Sequence, residues 1–118
     1  MLKRIIFIPC VLLFFILTSC HKDSGVGPFD YERDTPVWLK EKISDISIDT
    51  TQFYTKTKVY RYRWNESFIY HISIPLSSCV YCELYDENGN KVQITSDLML
   101  QNFLNNRTDE FLVWERKS

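Results

Sequence analysis

The sequence predicts an α+β domain, with one N-terminal helix packed on an antiparallel sheet of about five strands and a second short helix before the last strand. Three observations carry this. Leu39, Ile43 and Ile46 recur at helical spacing. Residues 57–64 and 67–74 alternate with period two and are rich in β-branched and aromatic side chains. Asn88-Gly89 divides two further short apolar runs, as a tight reversal between strands would.

The helix is expected over residues 36–47, with Thr35 as N-cap and Pro36 as first helical residue, because proline needs no partner for an N–H there. Lys40, Glu41, Lys42, Ser44 and Asp45 fall on its other face, leaving one apolar stripe. Asn65-Glu66 joins the next two runs as a hairpin. In the first strand Tyr60, Tyr62 and Trp64 oppose Val59, Arg61 and Arg63; in the second Phe68, Tyr70, Ile72 and Ile74 oppose Ile69, His71 and Ser73. That alternation predicts one dry face and one wet face. Pro75 ends the second strand because it cannot donate to a ladder. A third strand is expected over 79–85 and a fourth over 91–95. Ser96 or Asp97 can cap a helix over 97–105, and residues 111–114 read as the final strand. A single domain over residues 35–118 is small for one core. Large rings compensate, since each buries much area per ordered residue, and all 3 Trp, all 7 Tyr and five of the 8 Phe follow the expected signal.

The N-terminus has a different grammar. Lys3 and Arg4 precede an uncharged apolar run over 5–17, about 13 residues against the ~20 that span a bilayer as a helix, which is the pattern of an export signal. The run stops at Leu17-Thr18-Ser19-Cys20, which resembles the lipobox of bacterial lipoproteins. The resemblance implies removal of residues 1–19, diacylglycerol on Cys20, and stable anchoring through several acyl chains. Residues 20–34 hold two of the glycines and several charges without periodicity, and read as a lipidated flexible tether. The chain has 14 basic and 15 acidic side chains, and losing Lys3 and Arg4 would leave it net acidic, which argues against a nucleic-acid binder.

The residues that carry chemistry are few. Cys79-Val80-Tyr81-Cys82 sits at a strand start, with no following helix to lower a thiol pKa and too few further ligands for zinc, so neither a redox motif nor a metal site is expected. Residues i and i+3 of a regular strand point to opposite faces; Cys79 and Cys82 form a disulfide if the segment turns, and otherwise stand as two separate thiols. His71, with serines nearby, lacks the context of a triad and reads as ordinary surface on the wetter face. Glu83, Asp86 and Glu87 read as a solvated turn. Arg61 and Arg63, with Lys56 and Lys58, read as a basic stripe that guards a strand edge. Asp49-Thr50-Thr51 resembles the acceptor motif for O-glycosylation in Bacteroidetes secreted proteins, which makes Thr50 a candidate glycan site.

The order helix, Val59-Tyr60-Arg61-Tyr62, Phe68-Ile69-Tyr70, a cysteine-bearing strand, Glu83-Leu84-Tyr85-Asp86-Glu87-Asn88-Gly89 and Leu112-Val113-Trp114-Glu115 resembles a domain of unknown function found in small Bacteroidetes lipoproteins, over about residues 36–116. Where those proteins often carry a glycine-rich stretch after the Asn-Gly turn, this chain has a leucine-rich helix. The resemblance implies a fold and an address in the cell envelope, at the outer membrane in either leaflet, and no activity or cofactor. The expectation is a non-catalytic binding module for an envelope protein or glycan, with an exposed aromatic patch among Tyr60, Tyr62, Tyr81, Tyr85 and Trp114. The alternative is a hydrolase inhibitor of cystatin-like design, presenting Asn65-Glu66 or the loop 86–90. An enzyme would need a pocket of convergent polar groups.

Overall fold

The computed structural model describes residues 28–117. The chain divides into two compact units, Met1–Asp30 and Tyr31–Ser118, and all the secondary structure described lies in the second. Cys20, the export signal and residues 20–27 of the expected tether lie outside the described residues.

In chain order the elements are α1 (Tyr31–Asp34), α2 (Val37–Ile48), β1 (Lys58–Trp64), β2 (Ser67–Ser73), β3 (Leu84–Tyr85), α3 (Asp97–Asn106) and β4 (Thr108–Glu115). The strands form one antiparallel four-stranded sheet in the order β3-β2-β1-β4. The class is α+β, with a short third strand and without the expected fourth. Residues 79–83 leave the sheet because Cys79 and Cys82 are joined as a disulfide, which bends them into a turn. Residues 91–95 make a single bridge, Lys91 to Tyr85, and the Val92 amide donates to the Leu84 carbonyl at 2.8 Å, so they line the sheet edge without extending it.

Residues 31–34, expected within the tether, form a helical turn whose Tyr31 packs on the core. Pro36 ends that turn because it has no N–H for the Glu32 carbonyl. The Lys40 ammonium takes the missing donor's place, giving a hydrogen bond to that carbonyl at 2.7 Å. Helix α2 therefore starts one residue later than expected, with Pro36 as its cap. Thr35 caps nothing: its hydroxyl is buried without a hydrogen-bond partner among the described residues. The other end of α2 is held by Arg116, whose guanidinium donates to the carbonyls of Ile46 at 2.9 Å and Asp49 at 2.7 Å. A cation there also suits the negative end of the helix dipole.

Both faces of the sheet are core. Leu39, Ile43 and Ile46 of α2 pack on Val59, Tyr70, Ile72 and Tyr85. On the opposite face Phe103 of α3 packs among Tyr62, Trp64, Ile69 and Leu84. The expected dry and wet faces do not form, because the register opposes Arg61 to Tyr70 and Tyr60 to His71, which sets Arg61 and Arg63 on the α2 side and His71 on the α3 side. Burial of each such side chain is worth about 1.5–3 kcal/mol, which is how a unit of this size sustains itself. Ser96 caps α3 by accepting from the Met99 amide at 3.1 Å, and the Trp64 indole donates to Asn102 at 2.9 Å, tying α3 to β1.

The basic stripe is also broken up. Arg61 lies over the rings of Phe68 (4.3 Å) and Phe111 (5.3 Å), Arg63 lies over Phe68 (4.8 Å), and Lys56 is in the turn before β1. Guanidinium groups laid on aromatic faces gain a cation–π contact, and Arg61, half-buried, belongs to the packing as much as to the surface, while Arg63 stays exposed.

Candidate functional site

The segment 77–83 forms a ridge between two concavities. Its conformation follows from local bonds. Pro75 ends β2, the Ser77 amide donates to the Ile74 carbonyl at 2.9 Å, and the Ser77 hydroxyl both accepts from the Cys79 amide and donates to the Cys79 carbonyl at 3.2 Å. The Cys79–Cys82 disulfide, with 5.5 Å between α-carbons, then closes the turn, and the Glu83 carbonyl rejoins the sheet by accepting from Ile72 at 2.9 Å.

Two residues inside the disulfide ring are fixed from below. The Val80 carbonyl accepts a hydrogen bond from His71 Nε2 at 2.8 Å. Tyr81 lies on the His71 ring with centroids 4.8 Å apart and meets Phe103 edge-on at 5.5 Å. Arg107, at the C-cap of α3, lies over Tyr62 at 4.4 Å and Phe103 at 5.0 Å, and its guanidinium reaches the Tyr81 hydroxyl at 3.5 Å. His71 is thus an interior residue, 5% exposed, and its reading as ordinary surface is corrected: α3 and the ridge cover it. Burial, with Arg107 nearby, lowers its pKa against the opposing effect of the Val80 carbonyl, so it is held as neutral imidazole with Nε2–H donating. Above it Val80 points outward, 65% exposed, and Leu76 on the approach to the ridge is exposed as well.

On one side of the ridge, Cys79, Val80, Tyr81, Cys82, Ile94 and Leu100 line a mainly apolar groove of about 530 Å³. On the other, Ser77 and Glu83 join Lys42, Asp45, Phe53 and Tyr54 around a smaller hollow of about 240 Å³ floored by Ile46, Ile72 and Ile74. Glu83 is oriented there, since one carboxylate oxygen accepts from the Tyr85 hydroxyl at 2.6 Å and the other meets Lys91 at 3.5 Å. Burial and that carboxylate together push the Tyr85 hydroxyl pKa up. A third depression, of about 600 Å³ over Trp64, Met99 and Asn102, is shallow and holds no titratable side chain.

The aromatic residues expected to form one patch are divided by the sheet. Tyr60, Tyr62 and Tyr81 lie on the α3 side, while Tyr85 and Trp114 lie on the α2 side. Tyr62 and Tyr85 are buried and belong to the core, because helices cover both faces. Burial pushes the Tyr62 hydroxyl up to about 12 despite Arg107. Of the five, Tyr81 is the one built into the ridge. Among the exposed apolar residues that sequence reasoning passed over are Val80, hidden by its placement inside an expected strand, and Phe53 and Leu76 in loops.

The remaining candidates are placed as follows. Thr50 is exposed in the α2–β1 loop, next to a local knot in which Asp49 accepts from the amide of Thr51 at 2.8 Å and from its hydroxyl; these bonds lower the Asp49 pKa. The loop 86–90 does not protrude. Asp86 accepts from the amides of Asn88 (2.8 Å) and Asn90 (3.0 Å), Glu87 accepts from the Phe68 amide at 2.8 Å, and the Trp38 indole donates to the Glu87 carbonyl at 2.9 Å. The Asn65-Glu66 connection is a two-residue turn. Among the described residues no three His, Cys, Asp or Glu side chains group as metal ligands would, and no helix is long and apolar enough to cross a membrane.

No family model, curated protein or solved structure matches this chain.

Proposed function

We propose that the chain is a lipid-anchored lipoprotein of the bacterial cell envelope, held at the outer membrane through Cys20, and that its folded unit is a non-catalytic binding module for an envelope protein or glycan. The anchor is supported by the order of Lys3-Arg4, the apolar run and Leu17-Thr18-Ser19-Cys20. The binding role is supported above all by the ridge. A disulfide, a buried histidine and a stacked tyrosine hold an aliphatic side chain in solvent between two concavities. A contact surface gains from such preorganisation, because less freedom is lost on binding.

Two measurements test this. In cells fed labelled palmitate, the wild-type chain should take up label and the Cys20→Ser form should not; equal labelling would refute the anchor. In pull-downs from envelope extract, partners held by the wild-type chain should be lost with Val80→Asp, a change that leaves the Val80 carbonyl and its bond to His71 in place. Recovery of the same partners by Val80→Asp would refute the ridge as the contact surface.

A further inference from the structure

The smaller concavity has a composition that selects a ligand class. Helix α2 supplies Lys42 and Asp45 from one face, a turn apart, with Ile46 beneath them. The α2–β1 loop supplies Phe53 and Tyr54, edge to face at 5.0 Å, with Phe53 43% exposed. The ridge supplies Ser77 and Glu83. The hollow therefore has an apolar floor, an aromatic wall and a hydrogen-bonding rim of mixed sign. Its polar groups are positioned before any ligand arrives: the Lys42 ammonium stands over the Tyr85 ring at 4.8 Å, and Glu83 is held by Tyr85 and Lys91.

We infer that this hollow binds a single neutral sugar ring, the C–H face of the pyranose against Phe53 and its hydroxyl edge on Asp45, Glu83, Lys42 and Ser77. The inference rests on the proposed binding role and names its ligand class. Size favours one ring, since about 240 Å³ lies below the roughly 300 Å³ at which sites for larger ligands begin. Charge favours a neutral one. A cation would meet Lys42 and an anion would meet Asp45 and Glu83, whereas sugar hydroxyls donate to carboxylates and accept from an ammonium at once. The aromatic wall favours a ligand with an apolar face, because half-exposed rings beside polar donors and acceptors suit an amphipathic ring. A fully apolar ligand would leave Asp45 and Glu83 without compensation for the water they lose.

The test is saturation-transfer NMR on the full chain in detergent, with methyl glucopyranoside, methyl mannopyranoside and N-acetylglucosamine as neutral probes and glucuronate and glucosamine as charged ones. Millimolar binding of at least one neutral probe is expected, with transfer strongest to ring C–H protons. Phe53→Ala should weaken it roughly two- to tenfold, as loss of an aromatic contact does. Asp45→Asn, an exposed and nearly isosteric change, should also weaken it while the fold stays intact by circular dichroism. No transfer from any neutral probe, unchanged transfer in both variants, or stronger binding of a charged probe would each overturn the inference. If sugars fail while the pull-down remains sensitive to Val80→Asp, the sugar site alone falls; if both fail, the binding role falls with it.

Discussion

At the scale of single residues, the strongest constraint is on Gly89. Its φ is +88°, in the region that favours glycine, and a β-carbon there would stand 3.0 Å from the Trp38 ring. Trp38 cannot retreat without cost, because its indole N–H bonds the Glu87 carbonyl and its ring packs edge-on to Tyr70 at 5.7 Å. Gly89→Ala is therefore expected to destabilise the unit by about 1–3 kcal/mol, read as a lower urea midpoint with an unchanged slope. The Asn-Gly pair announces this turn in the sequence, but the tryptophan that makes the glycine indispensable is 51 positions away and carries no local signal.

At the scale of elements, the β1–β2 turn was legible to the residue, with Trp64 facing Ser67 across two residues, while each strand is one residue shorter at its outer end than expected. Both turn residues have positive φ, 54° at Asn65 and 65° at Glu66, the geometry of a type I′ turn, in which glycine is preferred at the second position. Glu66→Gly should raise stability by roughly 0.5–1 kcal/mol, measured as a higher urea midpoint, because relief of the left-handed conformation outweighs the added freedom of the unfolded chain. The two helices were legible too, from their apolar spacing and, for α3, from its serine cap. The strand expected over 79–85 was not. Its residues alternate as a strand's do, and only the covalent bond between Cys79 and Cys82, one of two readings open to the sequence, converts five of them into a ridge. The wet face failed because the register sets Arg61 and Arg63 on one side of the sheet and His71 on the other. Arg61, Arg63 and His71 look solvated as residue types, yet rings and a carbonyl supplied from distant segments accommodate them.

For the whole molecule, His71 couples the ridge to pH. It ordinarily titrates near 6.5, and its folded pKa lies lower, so the unfolded chain binds the proton more readily as pH falls. Its contribution is thus fully present above the ordinary value and is lost as pH drops through it toward the folded pKa. Urea midpoints should fall between pH 7 and pH 5 in the wild-type chain and fall less in His71→Gln; equal slopes would mean that the imidazole is not held neutral. Asp49, whose lowered pKa lies in the carboxylate range, enters only at more acidic pH. The sheet order has a consequence of another kind, for biogenesis. β1 is flanked by β2 on one side and, on the other, by β4, the furthest along the chain of the described strands. Until residues 108–115 leave the ribosome, β1 lacks a partner along one edge and α2 has no Arg116 to close its end. Pairings of such long sequence separation form late, so this unit stays open until β4 is in place.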